Sequence, residues 1–224
     1  MINFFGMYEG VELIIVIVAF LIAILFGLTI HEYSHSLVAF YQGDVTSKYF
    51  GRLSLNPLKH IDPIGFFCLV FFGFGWAKPV PVNTVKFKNY KKGIFLTSIA
   101  GVCANIISSF VFIGILTLIF SNPETILNLS TNYVLQFIYY ILVYSASINL
   151  GLAIFNILPI PPLDGFNMIA SLSKTNNKFL QFLMRYGFLI LVFLLLFNVI
   201  DVLFEAIYGF VLPAFTNFWQ NIFF

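Results

Sequence analysis

The sequence predicts an all-α membrane protein: a polytopic bundle of about four transmembrane helices, with a re-entrant or interfacial segment and short membrane-associated β strands. Three observations carry that prediction. The 224 residues are 60% hydrophobic and 9% charged, where soluble domains average about 25% charged residues, so lipid is the natural solvent for this surface. Several apolar runs reach the length of about 18 residues or more that reads as a membrane-spanning helix. The eleven Lys and Arg residues are confined to residues 48–92 and 174–185.

The first span covers about residues 11–40, and its centre, Leu13 to Ile30, is eighteen residues without a charge. A cleaved leader is not expected: Glu9 and Glu12 stand where a basic region would, the run is long, and no small-residue cleavage site follows. The second span, about 93–120, and the third, about 133–158, carry no charge, and the fourth, about 179–200, carries Arg185 near its start, where the side chain can snorkel to the interface. The last residues, with Asp201, Glu205, Tyr208, Pro213 and Trp219, read as interfacial, a depth that Tyr and Trp favour.

Pro63 to Ala77 is apolar but has fifteen residues and three glycines. That is short for a span and predicts a re-entrant segment. Its flanks, 45–55 and 79–87, are rich in Val, Thr, Tyr and Phe and predict short strands, the second held to an edge by Pro79 and Pro81. If 63–77 does not cross, all eleven basic residues fall on one side, which the positive-inside rule makes the cytoplasm. The N-terminus, the 121–132 loop and the C-terminus are then outside. Residues 1–224 read as a single intramembrane domain, with no internal repeat and no hydrophilic stretch long enough for an added soluble domain. Cys68 and Cys103 lie far apart in apolar segments and read as buried thiols. The implied partners are the lipid bilayer and a membrane-embedded protein or peptide; nothing calls for nucleic acid.

The chemistry centres on "HEYSH", residues 31–35, at the end of the first span. His31 and His35 are four apart, so a helix sets both rings on one face. Two imidazoles there can reach one zinc ion at about 2.0–2.1 Å each. Glu32, a step round the helix, can reach a water on the metal and act as base. As a chance match the two histidines would be ordinary surface or core residues, but ionisable groups at membrane depth are costly and are functional by default. A two-histidine site needs a third protein ligand. His60, in "NPLKHIDPIG", reads as interfacial. Asp164, in "FNILPIPPLDGFNMI", follows a break made by Pro159, Pro161 and Pro162. Its spacing suits either a ligand or the N-cap of a short helix beginning at Gly165. With 63–77 re-entrant, His31, His35 and Asp164 share the cytoplasmic ends of their spans; with 63–77 crossing, no shared metal is possible. Asn156, about two turns before Asp164, could donate to a substrate carbonyl or an oxyanion, with Asn105 a weaker candidate for the same role. Other polar residues at depth, with Gly101 and Gly151, read as helix–helix contacts.

"HEYSH", "GRLSLNPLKHIDPIG", "GWAKPVPVN", "AGVCAN" and "NILPIPPLDG", in that order over residues 31 to 165, resemble the site-2 proteases, intramembrane zinc metalloproteases, and most of all the compact prokaryotic subgroup without a PDZ domain. The resemblance implies one zinc bound by His31, His35 and Asp164, water activated by Glu32, and a substrate positioned by Asn156 and Asn105. It also implies a transmembrane substrate that unwinds and adds as an extended strand beside the β segment. Val102 stands where relatives often have proline, which bears on the backbone near Asn105 and not on the metal ligands. Two other functions fit paired histidines in a membrane: a metal-ion transporter and a non-catalytic metal-binding scaffold. A transporter would not need Glu32 as a base, and nothing in the motifs suggests lost activity.

Overall fold

The computed structural model describes residues 8–72, 75, 77–173 and 177–224. The helices are α1 (Gly10–Tyr41), α2 (Thr46–Tyr49), α3 (Pro63–Phe72), α4 (Tyr90–Phe120), α5 (Pro123–Leu127), α6 (Tyr133–Asn156), α7 (Asp164–Leu172), α8 (Lys178–Leu196) and α9 (Val199–Phe223). Asparagine starts many of them. The side chain of Asn89 accepts the Lys92 N–H of α4, Asn132 accepts from Val134 and Leu135 of α6, and Asn177 accepts from Phe179 of α8. Each supplies an acceptor to a first turn that has no intrahelical partner.

The core is the packing of α1, α4 and α6 on one another. Their apolar residues run all round the helix, so hydropathy does not mark the face that packs. Small and polar residues mark it instead: Ala19, Ala23 and Gly27 of α1, Gly101 and Asn105 of α4, and Ala146, Asn149 and Ala153 of α6 are all buried. That is the expected chemistry between helices in lipid, where the outer surface is as apolar as the inner one.

Among the described residues, five helices, not four, are long and apolar enough to cross a membrane: α1, α4, α6, α8 and α9. From sequence the C-terminal residues, with Asp201, Glu205, Tyr208, Pro213 and Trp219, read as interfacial, the depth that Tyr and Trp favour. In the structure the two acids fall in the first two turns of α9, the end that favours negative charge. Pro213 removes one backbone bond, which a membrane helix tolerates. Ile200, at the start of α9, is buried with Ile160, Leu163 and Leu191. Further along, the Tyr208 hydroxyl donates to the Ser147 carbonyl at 2.8 Å, and the Trp219 ring N–H donates to the Phe110 carbonyl at 2.9 Å. So α9 runs antiparallel to α6 and finishes towards the Phe120 end of α4.

One end of the bundle therefore gathers the start of α1, the end of α4, the start of α6 and the end of α9. There the Tyr140 hydroxyl donates to Glu12 at 2.7 Å and Phe120 meets Tyr139 edge to face. The other end gathers the end of α1, the start of α4 and the end of α7, where the Lys91 ammonium donates to the Ser173 carbonyl at 3.1 Å.

The expected β strands are absent among the described residues. Residues 46–49 are helical, and 79–83 have no regular secondary structure. In this region Ile61 and Ala77 form an isolated antiparallel bridge. The reason is local. Asp44 accepts the Thr46 N–H at 3.0 Å and starts a helical turn, while Pro79 and Pro81 have no N–H to give to a ladder. Within 63–77, residues 73, 74 and 76 lie outside the described residues. α3, with ten residues, is about 15 Å long and half of what a crossing needs. The Lys78 N–H donates to the His60 carbonyl at 2.8 Å, so the stretch leaves and returns at one place.

Candidate metal centre

Three elements converge on the site, each for its own reason. α1 contributes His31 and His35 through the four-residue spacing, and both are buried. α4 contributes space. A Cβ on Gly101 would lie 2.7 Å from His31 Nδ1 and 2.7 Å from His35 Nε2, so no side chain fits where α4 passes the rings. Sequence reasoning assigned Gly101 to helix packing and missed that role. α6 stops at Asn156, the prolines turn the chain, and α7 starts at Asp164. Leu163 is the N-cap of α7 and makes no side-chain cap bond, so Asp164 is not the cap. Its carboxylate turns towards α1 instead. A Cβ on Gly165 would fall on the Ile157 carbonyl, which is why glycine follows the aspartate.

The ligand atoms are close together. His31 Nε2 and His35 Nε2 are 3.0 Å apart, and each lies 3.1 Å from Asp164 Oδ2. Four ligands at about 2.0 Å from one zinc ion stand about 3.3 Å apart in a tetrahedron, so these three fit three corners. The opposite ring nitrogens fix the tautomers. His31 Nδ1–H donates to Asn105 Oδ1 at 2.6 Å, and His35 Nδ1–H donates to the Thr97 carbonyl at 2.6 Å. Both acceptors are carbonyl oxygens, so Nδ1 holds the proton and Nε2 presents a lone pair. Two lone pairs and a carboxylate oxygen facing one another repel unless a cation lies between them. Asp164 Oδ2 is also a buried atom with no ordinary hydrogen-bond partner. The donor set fits zinc.

Behind His31 runs a buried relay. Asn105 is fully buried; its amide donates to the Gly27 carbonyl at 3.1 Å and to Asn149 Oδ1 at 2.7 Å, and Asn149 donates to the Ser145 carbonyl at 2.7 Å. The structure places Asn105 behind His31, fully buried, with its Oδ1 turned to the ring. Asn156 is at the site itself. Its amide donates to the Leu152 carbonyl at 2.9 Å, and the residue lines a cavity of about 520 Å³ with His31, Glu32, Val80, Asp164 and Asn167. Asn167, one turn after Asp164, was not singled out by the sequence reading; its i+3 spacing from Asp164 was the available signal. Glu32 Oε2 accepts the Val80 N–H at 3.1 Å. His60 is buried and donates from Nε2 to the Ser54 carbonyl at 2.7 Å; it is not part of the ligand group, which is His31, His35 and Asp164. Thr97 and Gly101 lie seven and eleven residues past Tyr90, the first residue of α4. The site is therefore sunk about 10–16 Å along that helix.

A family model described as "Peptidase family M50" matches residues 19–194. The chain is 40% identical over 179 residues to a Bacillus subtilis protein named "Putative zinc metalloprotease YwhC", covering 79% of this chain and 78% of that one. It is 30% identical over 194 residues to a Mycolicibacterium smegmatis protein named "Putative zinc metalloprotease Rip2", covering 83% and 70%. No solved structure matches.

Proposed function

The chain belongs to peptidase family M50 and is an intramembrane zinc metalloprotease, and from that premise we propose that it acts as a site-2 type endopeptidase on transmembrane segments. The observation that carries this reading is the set of three mutually facing ligand atoms, 3.0–3.1 Å apart, in a polar cavity that also holds Glu32.

In this proposal His31, His35 and Asp164 hold the zinc. Zinc bound there lowers the pKa of a water from about 15.7 to about 7. Glu32 accepts the proton of the attacking water and passes it to the leaving amide nitrogen. One Asn156 amide hydrogen is used by Leu152; the second is free to donate to the substrate carbonyl, where negative charge develops. Asn105 acts through His31, holding its tautomer and ring plane. A helical substrate hides each peptide bond within its own hydrogen bonds, so it must unwind to present one, and the 78–83 segment borders the place where it would lie. We assign the basic end of the bundle, and with it the site, to the cytoplasmic side, and the N-terminus to the outside. Residues 1–224 act as a single domain.

The transporter and scaffold alternatives are not favoured: both relatives carry the name of a zinc metalloprotease, and the ligands gather at one point. The test is reconstitution of wild type and Glu32→Gln in proteoliposomes with a panel of single-span peptides, with fragments read by mass spectrometry. Wild type should cut within the apolar segment, and Glu32→Gln should bind zinc equally and cut nothing. Equal turnover by the variant would remove Glu32 from its role.

A further inference from the structure

The cavity wall opposite the ligands is not a helix. Residues 78–83 have no regular secondary structure, and prolines at 79 and 81 leave few N–H groups. Three of these anchor the segment. The Lys78 N–H donates to the His60 carbonyl at 2.8 Å, the Val80 N–H to Glu32 Oε2 at 3.1 Å, and the Asn83 N–H to Asp44 Oδ2 at 2.6 Å. Two of the three acceptors are carboxylates, and both belong to α1 or its exit.

Asp44 follows the end of α1 at Tyr41 and is fully buried. A buried carboxylate is costly unless its lone pairs are filled. Here Oδ1 accepts the N–H and the hydroxyl of Thr46, while Oδ2 takes the Asn83 N–H. The Lys88 N–H donates to the Gln42 carbonyl at 2.8 Å, one rung away. Capping the four-residue α2 would need the Thr46 bonds alone. The Asn83 bond does something else: it fastens the cavity wall to the helix that bears the ligands.

The connection closes on itself. From α1 it passes to Asp44, across to Asn83, back along the chain to Val80, and through the Val80 N–H to Glu32 on α1. Pro81 fixes its own φ and confines Val80 to extended conformations. Between Asn83 and Val80 that leaves the Pro81 ψ and the two torsions of Val82 as the freedom by which a shift at Asn83 could be absorbed.

We propose that Asp44 is a positioning residue for proteolysis: by holding the Asn83 N–H it sets where the Val80 N–H stands, and so aims the Glu32 carboxylate into the cavity. The inference rests on Glu32 being the base. It concerns orientation, so its signature is lost turnover with zinc in place.

The test uses the full chain, zinc-loaded, in detergent and in proteoliposomes. Wild type, Asp44→Asn, Asn83→Pro and Glu32→Ala are compared by zinc content, by amide exchange read residue by residue, and by kcat and KM on the best-cut peptide of the panel above. Asp44→Asn sets an amide NH₂ against the Asn83 N–H. It should keep its zinc, lower kcat about 10- to 100-fold with KM changed less than about threefold, and speed exchange at Val80 and Asn83 while α1, α4 and α6 stay protected. Asn83→Pro removes the bond from the exposed side and should lower kcat alike, which carries the test if Asp44→Asn does not fold. Glu32→Ala should free the Val80 amide and leave Asn83 protected. Wild-type kcat in a folded Asp44→Asn or Asn83→Pro protein overturns the proposal, as does a Val80 amide still protected in Asp44→Asn, or kcat lost together with zinc. Failure of the base assignment would show separately, as turnover by Glu32→Gln.

Discussion

The two walls of the site are built differently. One is made of α1, α4, α6 and the start of α7, and every ligand on it is backed by a buried hydrogen bond or a close backbone: His31 by Asn105, His35 by the Thr97 carbonyl, Asp164 by the Gly165–Ile157 contact. The other is the 78–83 segment, held by single N–H bonds to His60, Glu32 and Asp44. The first wall has the rigidity a metal requires, since ligands must be held near their final geometry before the ion arrives. The second is fastened at a few points, by single bonds from Lys78, Val80 and Asn83. In the proposed function, metal binding and substrate handling fall to different kinds of structure, and damage to each should read out differently.

The largest expected effect strikes the first wall. Asp164→Ala should reduce zinc from about one per chain to a trace, because two imidazoles alone hold zinc weakly, and turnover should fall to background; metal analysis of the purified variant checks it. Zinc retained in full would shift the third ligand elsewhere and collapse the contrast between the walls. Gly101→Ala should come next. A methyl group 2.7 Å from both rings must displace one of them, with zinc affinity falling about 100-fold, read by competition with a chelator. Asn105→Ala should cost about 10- to 100-fold in zinc affinity by freeing the His31 ring, with Asn149→Ala a smaller loss through the same relay. Substitutions within 78–83 should leave zinc affinity unchanged, and a loss there would show that the walls are not independent.

The smallest effect belongs to pH. Burial pushes the Asp44 carboxyl up, but the bonds from Thr46 and Asn83 outweigh it and hold the group below its ordinary value of 3.8. A depressed carboxyl stabilises the fold above its unfolded pKa and loses that contribution as pH falls through the folded one. Melting temperature should therefore be insensitive to Asp44 from pH 7 to about 5 and should lose the clamp's contribution below about pH 4. Asp44→Asn should flatten that acid limb, measured by differential scanning fluorimetry.

The parts of this design that were legible in the sequence are those written in local spacing. Histidines four apart can meet on one helix face, and the prolines before Asp164 announce that a span ends there. The relay behind His31 was not legible, because Asn105 and Asn149 are 44 residues apart and meet through packing alone. The strands were misread for a related reason. Val, Thr and Tyr at 45–49 have β propensity, but one buried carboxylate at Asp44 turns the chain into a helical turn. At the C-terminus, Tyr208 and Trp219 suggest an interfacial segment, although both lie within one 25-residue helix that is long and apolar enough to cross.

The sunken position of the ligands has a consequence for the fate of what is cut. A membrane segment needs about 20 residues to stay in the bilayer. In the proposed function, a bond cut level with the ligands, about 10–16 Å along α4 from Tyr90, would divide a spanning segment into two pieces, each shorter than the length that crosses a bilayer. Such a cut would release both pieces from the membrane at once.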